Sequence, residues 1–206
     1  MDITFPVDVR TLKISNAPKK VVYYPQVINM RNLKLQQFVN QTIVAHTQQL
    51  INLQVEEMPS QVEEMIGTYE IKNNQRKVLS LSLSNYTYHY YAAHGMTYIK
   101  SLTFDLKKGK LCELKDLFKL GSNYVDRLST LIQKQIKQRD IQTLGDFTAI
   151  KPNQDFYIAD KALVIYFQLY EITPYVFGFP MFPISVYELQ DIIDEGGPLG
   201  RMAMNS

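Results

Sequence analysis

The 206-residue sequence has no tryptophan and a single cysteine, Cys112. One cysteine excludes an intrachain disulfide and a thiolate metal cluster. Within Lys110-Leu111-Cys112-Glu113-Leu114 it reads as a small buried hydrophobe and not as a nucleophile. No run of 18 apolar residues occurs, and the first twenty residues alternate charge and apolarity without the apolar core of a leader. The expectation is a chain that makes no membrane contact itself, or a soluble piece from which a leader or anchor was removed. An excess of one charge is also lacking, since 22 basic residues face 20 acidic ones for a net +2. That balance argues against nucleic acid as a partner. The short basic patches fit this: Lys107-Lys108-Gly109-Lys110 reads as a hairpin turn, and Lys134 to Arg139 as the wet face of a helix.

Familiar catalytic signatures are missing too. There is no G-x-S-x-G elbow, H-E-x-x-H, P-loop or G-x-G-x-x-G. The three histidines are His46, His89 and His94. His46 falls on or beside the apolar stripe of a helix and reads as a core or rim residue. His89 and His94 have no cysteine or carboxylate close by to complete a zinc set, so neither a metal nor any other cofactor is expected. Glu56-Glu57 and Glu63-Glu64 are adjacent pairs; on extended chain such neighbours point to opposite faces and read as solvated surface.

What the sequence does have is 14 tyrosines and 10 phenylalanines, residues that suit half-buried strands and contact surfaces alike. Phe5 to Ile14 and Val21 to Ile28 read as strands, demoted to edges or bulges by Pro18 and Pro25. From Asn32 to Val55 the period changes: Leu35, Phe38, Val39, Thr42, Ile43, His46, Leu50 and Leu53 form a helical stripe. Val62 to Lys72, Val78 to Tyr91 and Met96 to Leu106 follow as an antiparallel meander. In the second of these, Leu79, Leu81 and Leu83 alternate with Ser80, Ser82 and Ser84, the pattern of a half-buried strand. A second helix is expected over 122–137, with Val125, Leu128, Ile132 and Ile136 inward. A hairpin should turn at Asp160-Lys161, and Ser185 with Glu188 has capping-box spacing for a short helix to about Ile193. Gly196-Gly197-Pro198 and the methionines beyond read as a flexible tail over 196–206. The fold class is α+β, with antiparallel sheets packed against two main helices and a short C-terminal helix.

Two stretches resemble a known family. The first is Ala93-His94-Gly95-Met96, then Leu102 to Leu111, then Leu114 to Phe118. The second is Val164 to Gly178, followed by Phe182-Pro183-Ile184 and Tyr187-Glu188-Leu189. Together they resemble the DUF3298 family, which includes the extracytoplasmic domain of the RsiV anti-sigma factor. The part before them is similar to the DUF4163 domain, also found in a peptidoglycan deacetylase outside its catalytic domain. The resemblance divides the chain into 1–92, 93–195 and the tail. It implies an extracytoplasmic or membrane-anchored parent and a non-catalytic binding or sensor module for a protein such as lysozyme or a cell-wall component. Its motif residues are His94, Gly95, Asp105, Gly109, Asp116, Phe118, Glu171, Pro174 and Gly178. In their local reading, Gly95 relieves a turn and Asp105 accepts turn amides. Ala92-Ala93 stands where the family has a glycine, which puts a positive φ there in doubt.

The residues nominate one contact surface. Tyr170, Tyr175, Phe177, Phe179 and Phe182 crowd into thirteen residues stiffened by Pro174 and Pro180, with Tyr88, Tyr90 and Tyr91 as neighbours from the sheet. The competing expectation is that these rings close the core. Two other functions stay open: a small cell-wall hydrolase using His94, Asp105, Glu171 and Tyr170, and an intracellular structural protein without a ligand.

Overall fold

A computed structural model describes residues 5–204. Strands β1 (Asp8–Ala17) and β2 (Lys20–Ile28) form a hairpin, and helix α1 (Leu33–Glu56) follows. Asn32 caps the helix, its side chain accepting from the Leu35 amide at 3.0 Å. Then come β3 (Val62–Gln75), β4 (Val78–His89), β5 (Met96–Asp105) and the two-residue β6 (Lys110–Leu111). These six strands make one sheet in chain order. All its pairings are antiparallel except β2 with β3, a parallel contact limited to Lys20–Val22 against Met65–Gly67. Helix α1 supplies the crossover that a parallel pair requires.

After a 3₁₀ turn (Leu114–Leu117) come α2 (Tyr124–Gln138) and a second sheet, β7 (Phe156–Ala159), β8 (Ala162–Tyr166) and β9 (Met181–Ser185), with β8 central. Alternation along these strands sets the layers. Ile158, Leu163, Ile165, Phe182 and Ile184 pack with Leu128 and Ile132 of α2, while Tyr157, Val164 and Tyr166 pack with Ile99 of β5. Valines and leucines of the first sheet meet Val39, Ile43 and Leu50 of α1 on its opposite face. The order is therefore α1, first sheet, second sheet, α2.

Several local expectations need correction. β4 is buried on both faces, because the second sheet covers the side that carries Ser80 and Ser82. Ser80 Oγ bonds Thr103 Oγ1 at 2.8 Å and accepts from the Ile158 amide at 3.0 Å. On α1, Leu53 is exposed and Gln54 buried, because Gln54 Nε2 donates to the Met96 carbonyl and its Oε1 accepts from Asn85. β4 and β5, on either side of residue 93, pair over ten residues of the first sheet. The 185–188 capping box is present but opens only a 3₁₀ turn, Val186–Leu189. The segment read as a flexible tail forms helix α3 (Pro198–Ala203), with Leu199, Arg201 and Met202 buried.

Two strand-edge residues, Val27 of β2 and Ile99 of β5, and Val7 just before β1 are closed by carboxamide side chains instead of by another strand. Asn40 of α1 accepts from the Val27 amide and donates to the Val27 carbonyl, both at 2.8 Å. Asn74 does the same for Val7, at 3.3 and 2.8 Å, and Gln168 for Ile99, at 3.1 and 2.8 Å. The Val27 geometry also accounts for Pro25. Residues of the same parity on β2 face away from β1, so the missing Pro25 N–H costs no ladder bond.

Candidate functional site

Two loops meet at one end of the first sheet. The first leaves β4 after His89, whose buried ring lies 2.8 Å from the Ser60 carbonyl through Nδ1 and 2.7 Å from the Gln54 carbonyl through Nε2. With the strand end fixed there, the chain turns: the Ala92 amide donates to the His89 carbonyl, and Tyr91 adopts φ +65°. The second loop leaves β8. Glu171 Oε2 accepts from the Gln168 amide at 2.8 Å and its Oε1 pairs with Lys151 at 2.8 Å, holding Tyr170 at φ +63°. Pro174 then opens a 3₁₀ turn (Tyr175–Phe177), which Gly178 ends at φ +77° with open space where a Cβ would stand. A left-handed conformation is uncommon for any residue with a side chain and strained for a bulky one. Here two tyrosines hold it, one on each loop.

His94 joins the loops. Its ring lies 4.5 Å from that of Tyr175 and 6.3 Å from that of Tyr170, and the two tyrosine rings are 5.4 Å apart. The Tyr170 hydroxyl is 3.2 Å from His94 Nε2, and the Tyr175 hydroxyl donates to the Gly95 carbonyl at 3.1 Å. Gly95 is needed for close approach and not for a left-handed turn: a Cβ there would stand 2.2 Å from the Tyr86 ring. Positive φ in this loop belongs to Tyr91 instead, next to the alanines where a glycine was missed.

The nominated rings divide. Tyr91 is 99% exposed, Tyr90 and Tyr170 46%, and Phe177 42%. Tyr88, Tyr175 and Phe179 are half-buried, Tyr88 donating to the Ala92 carbonyl. Phe182 is a correction: it is fully buried, because it faces α2 from β9. Tyr86 and the exposed Val176 belong to this end of the molecule and were not nominated from sequence. Tyr86 could have been found by its period of two with Tyr88.

The four groups suspected of hydrolysis do not share a site. His94 and Tyr170 touch, but Asp105 lies at the far end of β5, roughly 30 Å away along ten residues of strand. There Asp105 Oδ1 accepts the Lys107 and Lys108 turn amides, as read from sequence, and the carboxylate is paired with Arg201. Gly109 closes that turn at φ +68°. Asp116 pairs with Lys110 at 2.8 Å and Phe118 stacks on Tyr124. His89 and His94 do not converge, one being buried under α1 and the other exposed. Among the described residues, no group of three or more His, Cys, Asp or Glu could hold a metal ion, and no helix is long and apolar enough to cross a membrane.

Comparison with known proteins places this geometry. Residues 115–187 match the family described as a protein of unknown function, DUF3298, and residues 15–97 match one described as deacetylase PdaC. The chain is 25% identical over 134 residues to the peptidoglycan-N-acetylmuramic acid deacetylase PdaC of Bacillus subtilis (strain 168). That match covers 62% of this chain and 28% of the relative, so the chain spans less than a third of that enzyme. A crystal structure of a DUF3298 family member from Bacteroides fragilis superposes with a TM-score of 0.72 at 15% identity, covering 97% of this chain and 98% of that one. Another, from Pseudomonas aeruginosa PAO1, gives 0.66 at 12% identity over 100% and 99%. The chain carries a DUF3298 region, and the α+β fold is shared along its whole length.

Proposed function

We propose that this DUF3298-containing chain is a non-catalytic extracytoplasmic binding module, and that the joined loops 90–95 and 170–178 contact a cell-wall component. The observation that carries the reading is the pair of tyrosines held at positive φ on facing loops. Strain of this kind persists only where surrounding structure imposes it, and it collects at binding sites. The exposed rings offer apolar faces with hydroxyl tips, which suit a ligand that alternates C–H faces with hydroxyl groups. The similarity to part of a peptidoglycan deacetylase supports the choice of ligand class.

The test is co-sedimentation with insoluble peptidoglycan, using wild type and the double variant Tyr91→Ala, Phe177→Ala. Both rings are exposed, so the fold should be unaffected and binding should weaken by at least about tenfold. Equal retention of both proteins rejects this surface. A parallel arm with immobilised lysozyme separates a protein partner: capture there, without retention on peptidoglycan, replaces the proposed ligand.

A further inference from the structure

A second site lies under the C-terminal end of α1. Lys20 and Val22 are two residues apart on β2 and face one side of the sheet. Their strand partners face the same side, Met65 standing opposite Lys20 and Ile14 opposite Val22. That side belongs to α1, because Ile51 packs on Val22 and Met65. One turn later this packing ends. Val55 follows Ile51 by four residues on the same helix face, yet it is exposed, and so are Ile14 and Met58. These side chains surround a cleft of about 410 Å³, within the size range of small-ligand pockets. Apolar residues left exposed around one hollow mark a binding surface.

The cleft carries a single charge. Lys20 lines it beside the β1–β2 turn, half-buried, and no carboxylate lies on its wall. The neighbouring Lys19 takes Glu63 at 3.1 Å, and among the described residues no carboxylate pairs with Lys20. Asn16 lines the same end and brings a carboxamide donor. A cation partly withdrawn from water beside apolar walls gains most from an anion that brings its own apolar body. We propose that the cleft binds a straight-chain aliphatic carboxylate, its chain between Val55 and the sheet and its carboxylate accepting from Lys20. An apolar chain with one anionic end matches this wall. A peptide would instead bury amides without partners against Val22, Ile51 and Met65.

The experiment titrates the intact, methyl-labelled chain with decanoate below its micelle concentration and follows the Ile14, Val22, Ile51 and Val55 methyl resonances. These should shift saturably. Acetate has the charge without the chain and should leave them still. Decyltrimethylammonium, the same chain with the opposite charge, should bind at least about tenfold more weakly. Lys20→Met keeps the length of the side chain and should weaken decanoate binding by about tenfold, while Lys20→Arg should retain it. Val55→Gln, at an exposed helix position, should weaken both amphiphiles by about fivefold or more. The proposal fails if decanoate moves none of these methyls, if the cationic amphiphile binds as well, or if Lys20→Met binds like wild type. It also fails if the same methyls shift on dilution without any probe, since a second copy of the chain would then fill the cleft. None of these results bears on the aromatic loops, whose resonances should stay still throughout.

Discussion

Arg201 Nη2 lies 2.8 Å from Asp105 Oδ1, with 11% and 0% of the two side chains exposed. The remaining guanidinium donors reach the Arg76, Lys77 and Gly196 carbonyls, so this pair ties α3 to the β5 turn. Removing Arg201 leaves the buried Asp105 charge without a counter-ion, held only by the Lys107 and Lys108 amides. Arg201→Ala should cost about 3–5 kcal/mol in urea unfolding, and adding Asp105→Asn should cost less than the sum of the single changes. Simple additivity would mean that the two do not act as a pair.

Tyr91 makes an opposite prediction. Its ring is exposed and its backbone left-handed, so Tyr91→Gly should raise stability by about 0.5–1 kcal/mol while removing a contact ring. A higher melting temperature with weaker peptidoglycan retention is the expected pair of results. A variant that is both less stable and equally retained contradicts the strain and the contact together.

Gly95→Ala should cost about 1–3 kcal/mol, because the new methyl meets the Tyr86 ring. The same change in a Tyr86→Ala background should cost much less. An equal cost in both backgrounds would place the conflict elsewhere.

Burial raises the Cys112 thiol to about 11, with Asp105 adding to the effect. At pH 8 only about one molecule in a thousand is a thiolate, so Ellman's reagent should release almost nothing from native protein and one equivalent after denaturation. Fast native labelling would show the thiol to be open to solvent.

Acid should act through the hairpin turn after β5. Lys108 holds Asp194 below its ordinary value; for Asp116, burial acts upward but the Lys110 bond and the Glu113 amide outweigh it. A depressed native pKa contributes stability above the unfolded value, about 3.9, that is lost as pH falls through the native one. The urea midpoint should therefore drop most steeply below about pH 4, and less steeply in Lys108→Met, Lys110→Met.

Local signals carried much of the fold. The stripe from Val39 to Leu50 marked α1, Leu128 and Ile132 marked α2, and Asp160-Lys161 marked the β7–β8 turn, where Asp160 takes φ +48°. The failures trace to long-range partners. Gln54 lay outside the expected stripe of α1, because its partners Asn85 and Met96 lie far along the chain. The helix signal in Gly197-Pro198 was present, with proline at the first turn, but its anchor at Asp105 is 96 residues away. Of the contact surface, the rings were legible from composition. Their division was not, since only the pairing of β8 with β9 turns Phe182 inward and leaves Phe177 outside.

The serine row of β4 has a consequence for how the protein is made. A ribosome delivers β4 and β5 well before β7 and β8, so for that interval one face of the first sheet has no cover. Had that face been built of valine or isoleucine, the nascent chain would present a sticky apolar sheet to its neighbours. Ser80, Ser82 and Ser84 keep it wettable during the wait, and when the second sheet arrives Ser80 already offers the oxygen that receives the Ile158 amide.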